Sequence, residues 1–207
     1  MHPLVWVVFV VLLVSFLSNI TPFVGASYTL FATLYLTLLG LTPLNFGVVV
    51  VASAVGATSA KVVIYYGAFG LRDLLLKNKN VRLIGRAAST DTFYLVLLVT
   101  SLLPIFPFDD FIYIGAGATS ASLGLMSAVT LFAKTIKSVV EIALEFTILR
   151  DLSHLLDLHQ VELTIALTGV FVCIGVVVYK IDWEGTIAML RRRPSPVGPP
   201  PVTGIGN

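Results

Sequence analysis

In the apolar run from Leu123 to Leu149, the residues Ser127, Thr130, Lys134, Lys137, Glu141 and Glu145 recur every three or four positions. At about 100° per residue they share a sector of roughly 80° on a helix. Apart from Gly124, Thr135, Ser138 and Thr147, the rest of the run is Leu, Ile, Val, Ala, Met and Phe. A charge at the centre of a bilayer costs about 2.5 to 3.5 kcal/mol even on lenient insertion scales, so four facing lipid cost on the order of 10 kcal/mol. That rivals the stability of a whole domain. The stripe is therefore expected to face protein or a water-filled cavity and to be the working part of the chain.

An apolar share of 57%, only 12% charged residues and a mean hydropathy of +0.97 over 207 residues exclude a soluble domain of ordinary composition. The expectation is an all-α integral membrane domain over residues 1–180, followed by an Arg/Pro-rich, extended tail over 181–207. The net charge of +2 is small, and the basic residues sit in short links, which excludes a nucleic-acid-binding face. Cys173 stands alone, so no internal disulfide and no Cys-rich metal site is expected. His154, Asp157 and His159 have no regular metal-ligand spacing, and Gly115, Gly117 and Gly124 form no phosphate loop after a strand. There is no nucleophile and base pattern, so neither an enzyme nor a cofactor is expected. Leu4 to Leu17 lacks a basic start and a small-x-small cleavage site, and it is read as a membrane element rather than a signal peptide.

Leu44–Leu71 and Leu123–Leu149 are long enough for tilted crossings, and Leu163–Tyr179 is a shorter third span. Two other apolar regions are interrupted. Leu4–Leu17 meets Ser18-Asn19-Ile20-Thr21-Pro22 and resumes to Leu41, while Phe93–Leu103 meets Pro104-Ile105-Phe106-Pro107 and resumes from Phe111 to Thr119. Short apolar limbs broken by Pro predict re-entrant hairpins, with tips at Pro22, Pro104 and Pro107. Whether residues 4–17 cross fully or form a hairpin limb stays open.

The interrupted regions resemble each other. Pro22-Phe23 precedes Tyr28 as Pro107-Phe108 precedes Tyr113, and each region leads through a long helix into Leu-Arg-Asp-Leu, at Leu71–Leu74 and Leu149–Leu152. The opening motifs are offset by 85 residues and the closing ones by 78, so a duplication needs a gap of seven. The reading is a first repeat over 4–71, a basic link over 72–92, a second repeat over 93–149 and a last helix over 163–179. Arg72, Lys77, Lys79, Arg82 and Arg86 in the link, with Lys180 and Arg191-Arg192-Arg193 beyond the last span, place the link and the tail in the cytoplasm. The mixed link 150–160 falls outside. The two halves are then inverted.

Asp109 and Asp110 stand at the expected tip of the second hairpin, where two adjacent carboxylates removed from water can take up and release protons; they also suit a helix N-cap. Lys137 and Glu141 are spaced for an intrahelical pair, and Lys134 lies one further turn away on the same face. Lys134 and Lys137 are candidates to hold an anion such as a lipid phosphate, with Asp109, Asp110, Glu141 and Glu145 as gate or proton relay. A buried structural network is the competing role. Lys61, about 16 Å along its helix from Arg72, is too deep to snorkel and is expected to neutralise an aspartate. Ala52, Gly56 and Ala60 form a small-residue ridge for close helix packing.

A Pro-containing hairpin, a long helix with a Gly/Ala/Ser face, a basic link, a second hairpin reading Leu103-Pro104-Ile105-Phe106-Pro107-Phe108-Asp109-Asp110 and a second long helix together resemble the DedA family, also called the VTT or SNARE-associated Golgi protein family. The resemblance runs from Ser18 to Tyr179 and is to its divergent prokaryotic members. It implies two hairpins meeting from opposite faces of the plasma membrane, and movement of phospholipid or polyprenyl phosphate between leaflets, with the proton gradient as a drive. Asp109 and Asp110 match the acidic residues of the second hairpin. Where many members carry a glutamate in the first hairpin, Asn19, Gly25 and Ser27 stand here, and the arginines flanking the second hairpin's prolines are absent. A passive scramblase fits those departures. The expected partners are membrane lipids, protons and further copies of the chain; the alternatives are a small-solute or ion transporter, or a non-transporting subunit of a membrane complex.

Overall fold

The computed structural model describes residues 3–20, 28–88, 90–103, 108–157 and 159–180, and every regular element among them is an α-helix. In chain order these are α1 (Pro3–Ile20), α2 (Tyr28–Leu39), α3 (Pro43–Gly70), α4 (Arg72–Leu75), α5 (Lys79–Ala87), α6 (Asp91–Leu102), α7 (Phe108–Ala118), α8 (Leu123–Leu156) and α9 (Gln160–Lys180). Of these, α3 with 28 residues and α8 with 34 are long and apolar enough to cross a bilayer. Pro22, Pro104 and Pro107, along with Gly25, Ser27 and the tail 181–207, lie outside the described residues.

Local chemistry sets the helix ends. Thr42 caps α3 by accepting from the Asn45 N–H at 3.1 Å, with Pro43 at the first helical position, where its missing N–H has no cost. The Asn45 side chain reaches back, donating to the carbonyls of Gly40 at 2.9 Å and Leu39 at 3.3 Å, and so satisfies the exposed end of α2. Gly40, at φ +84°, supplies the left-handed residue that this turn needs.

Three boundaries differ from those read in the sequence. Asn19 donates to the Ser15 carbonyl at 2.9 Å, which ties the polar end of α1 into the helix and carries it past Leu17 to Ile20. α7 begins at Phe108 rather than Phe111, so Asp109 and Asp110 lie within its first turn instead of capping it. α8 runs past Leu149 to Leu156, so most of the expected link 150–160 is helical. The physical reason is a small apolar cluster of Leu30, Leu149 and Leu163, with Leu152 against it, that rewards continuing the helix until Asp157 turns left-handed at φ +52°.

The helices pack in a crossed pattern. α1 lies along α3 and α6 lies along α8, each the long helix that follows it, whereas α2 docks on α8 and α7 docks on α3. α3 and α8 run antiparallel: Val49, Val50 and Ala52 share an apolar cluster with Ile142, while Tyr65 shares another with Met126, Leu97 and Tyr113. Two backbone approaches are close enough to require glycine. A Cβ on Gly56 would meet the Leu12 carbonyl oxygen of α1 and the Ser15 Cβ, and one on Gly117 would meet the Tyr65 carbonyl oxygen of α3. The Ala52–Gly56–Ala60 ridge is thus buried, with Gly56 at the contact with α1. On α8, Leu125, Phe132, Val140, Leu144 and Ile148 are exposed, an outer surface that is apolar apart from small polar residues such as Thr147.

Candidate functional site

Between the two apolar clusters lies a layer of charge. Lys61 of α3, Asp109 and Asp110 of α7, and Lys134 and Lys137 of α8 are all at most 8% exposed. The crossed packing assembles them: α7 is laid on α3, which sets its first turn beside Lys61, and the long Lys134 side chain of α8 reaches across to Asp109. Lys61 forms an ion pair with Asp110 and stands 3.5 Å from Asp109, whose Oδ2 is 2.9 Å from Lys134 Nζ. Asp109 thus has two cations and Asp110 one. One turn along α8, Lys137 is 3.7 Å from Glu141 and donates to the Leu103 carbonyl at 3.3 Å, which ties α8 to the end of α6. Three lysines face three of the acids, a balance that buried charges need to avoid several kcal/mol of uncompensated desolvation each.

Glu145 sits outside this balance. Its partners are the hydroxyls of α2: Thr29 Oγ1 donates to Oε1 at 2.6 Å, and Thr33 Oγ1 lies 2.9 Å from Oε2. The remaining polar members of the stripe also turn inward. Thr130 meets the Tyr113 hydroxyl at 2.9 Å, and Ser127 is buried nearby. The stripe is therefore an internal seam along α8, with α7 attached at one end and α2 at the other. On the far side of α3, Ser15 and Ser53 hydrogen bond at 3.1 Å, so a second buried polar contact joins α1 to the same helix.

Several of these placements differ from simple helical spacing. Lys134, stacked over Glu141 by periodicity, turns instead to Asp109, because the α7 carboxylate approaches it more closely than its own helix can. Neither Lys134 nor Lys137 is free for an added anion as the structure stands; each holds a carboxylate. His154 and His159 are exposed, and no group of three or more potential metal ligands occurs among the described residues.

Sequence reasoning missed the hydroxyl partners. Thr29 and Thr33 are four apart in an apolar helix, a spacing that puts both on one face, yet threonines in such helices ordinarily bond their own backbone, as Thr37 and Thr147 do here. Tyr28 and Tyr113, marked only by their equal spacing from Pro-Phe, are both fully buried in the interior. The Tyr28 hydroxyl lies within the electrostatic reach of Glu141 and Asp109 and near the Ser138 hydroxyl, and neither hydroxyl has a partner in good hydrogen-bond geometry among the described residues. Burying a hydroxyl without a partner costs about 1 to 3 kcal/mol.

Comparison with protein-family models, curated proteins and solved structures gave no match to this chain.

Proposed function

We propose that this chain is a DedA-type membrane transporter or scramblase that moves phospholipid or polyprenyl-phosphate lipid between leaflets. In this reading α1 with α2 and α6 with α7 are re-entrant hairpins of an inverted repeat, α3 and α8 are the transmembrane helices, and α9 is a further crossing. The crossed packing supports it, since each hairpin lays one limb on its own long helix and the other on that of the opposite half. The basic segment over 72–92 faces the cytoplasm, where anionic headgroups attract it by about 1 kcal/mol per Lys or Arg.

The observation that carries the proposal is the buried layer of Lys61, Lys134 and Lys137 against Asp109, Asp110 and Glu141. A phosphate headgroup enters by exchange: it takes a lysine from a carboxylate, so the cation is never left without an anion, and proton uptake by the released carboxylate keeps the charge count level. The unpartnered hydroxyls of Tyr28 and Ser138 offer hydrogen bonds to the arriving group. An ion pair of Lys61 with Asp110 and of Lys134 with Asp109 is then the resting, lipid-free state.

Leaflet exchange of fluorescent phospholipid and of polyprenyl phosphate in proteoliposomes tests this, with wild type compared with Asp109→Asn/Asp110→Asn and Lys134→Gln/Lys137→Gln. Exchange above empty vesicles that collapses in correctly folded variants supports the lipid path. No exchange in wild type, with or without a pH gradient, overturns it and leaves solute transport or a structural subunit role.

A further inference from the structure

Among the described residues Glu145 is held by two hydroxyls and paired with no cation. The Thr33 hydroxyl has a single proton, yet its oxygen lies 2.9 Å from the Thr29 carbonyl and 2.9 Å from Glu145 Oε2. Its position over the preceding turn is the one that Thr37, Thr135 and Thr147 adopt when they donate to the carbonyl four residues back. With an ionised Glu145 that one proton serves two acceptors, and only one of the two contacts can be a full hydrogen bond. The count closes when Oε2 carries a proton: Glu145 Oε2–H donates to Thr33, Thr33 donates to the Thr29 carbonyl, and the Thr29 hydroxyl donates to Glu145 Oε1 at 2.6 Å.

The surrounding charges agree with this count. Among the described residues no cation lies within ion-pair distance of Glu145: on α8 Lys137 is committed to Glu141 and to the Leu103 carbonyl, Lys134 to Asp109, and Arg150 is exposed. α2 contributes only tyrosines, Tyr28 and Tyr35, as titratable groups. Lys61 on α3 is occupied by Asp109 and Asp110, and Glu162, the acid in the first turn of α9, is exposed. A neutral Glu145 also leaves the layer with three cations and three anions. A charged one would add an unpaired carboxylate to an apolar helix seam.

We infer that Glu145, clasped by Thr29 and Thr33, is a proton-binding site distinct from the lysine–aspartate layer, occupied in this conformation and holding α2 on α8 through the closed hydrogen-bond ring. Loss of the proton leaves Thr33 with one proton for two acceptors, so the ring loses one of its three hydrogen bonds and a carboxylate charge without a cation is left in the seam between α2 and α8. Its part in transport rests on the lipid-exchange reading; its occupancy does not.

Infrared spectroscopy of the protein in lipid bilayers at neutral pH reads the occupancy directly, through the carbonyl stretch of a protonated carboxyl and its shift in D₂O. The expected result is a band that Glu145→Gln abolishes, that Thr33→Val shifts and that Glu141→Gln leaves in place. No such band in wild type, or a band that survives Glu145→Gln, overturns the inference. In proteoliposomes Glu145→Gln, a permanent mimic of the neutral form, is expected to exchange lipid without responding to a pH gradient. A gradient response equal to wild type removes Glu145 from coupling, and absence of exchange in wild type fails the lipid reading while the infrared assignment stands.

Discussion

Among the described residues Lys61 is the only cation paired with Asp110, whereas Asp109 is shared between Lys134 and Lys61, and this asymmetry makes a quantitative prediction. Lys61→Met keeps most of the length of the side chain and removes its charge, leaving Asp110, 5% exposed, without a counter-ion among the described residues. Breaking a buried pair from one side costs about 3 to 5 kcal/mol. For a chain of this size each kcal/mol moves the midpoint by about 2 to 4 °C, so thermal unfolding in detergent should fall by roughly 6 to 20 °C. Lys134→Met should cost less, because Asp109 keeps Lys61 at 3.5 Å. Lys61→Met/Asp110→Asn removes both charges of the pair, keeps Lys134 with Asp109, and should recover most of the loss, with a coupling energy of about 2 to 3 kcal/mol in the cycle. Circular dichroism of wild type, these three variants and Asp110→Asn, which completes the cycle, in one detergent suffices. A Lys61→Met protein as stable as wild type, or a double variant less stable than the single, would refute the claim that this layer is held by specific pairing.

Gly56→Ala should destabilise by about 1 to 3 kcal/mol by driving a methyl into the Leu12 carbonyl, whereas Gly47→Ala, on the same helix with open space around it, should stabilise by about 0.5 to 1 kcal/mol; unfolding midpoints of the two check the sign. Tyr113→Phe leaves the buried Thr130 hydroxyl without its partner and should cost about 1 to 3 kcal/mol in the same assay. In a Cys173→Ser background, Leu83→Cys in α5 and Leu155→Cys near the end of α8, both exposed, should react with a membrane-impermeant thiol reagent from opposite sides of oriented vesicles, Leu83→Cys from the cytoplasmic side. Labelling of both from one side would contradict the proposed inversion.

The parts of this architecture written locally were legible in the sequence. The cost of charge in lipid required the α8 stripe to turn inward, and it does; the depth of Lys61 required an acidic partner, and Asp110 is beside it. Length and hydropathy sufficed to find α3 and α8. The missing information was relational. Periodicity says that Lys134 and Glu141 share a face but not that α7 will bring Asp109 closer, and Thr29 and Thr33 have no chemistry of interest until α2 is laid on α8. The extension of α8 to Leu156 depended likewise on Leu163 in another helix.

In the proposed function a phosphate-bearing lipid passes along the charged seam rather than along the outer surface of the helices. Photocrosslinking with a lipid whose reactive group sits beside its phosphate, followed by mass spectrometry of the labelled peptides, addresses it directly. Adducts are expected on the inward side of α8 between Thr130 and Glu145 and around Lys61, diminished in Lys134→Gln/Lys137→Gln. Adducts confined to the outward residues Phe132, Val140, Leu144 and Ile148, unchanged in that variant, would contradict it.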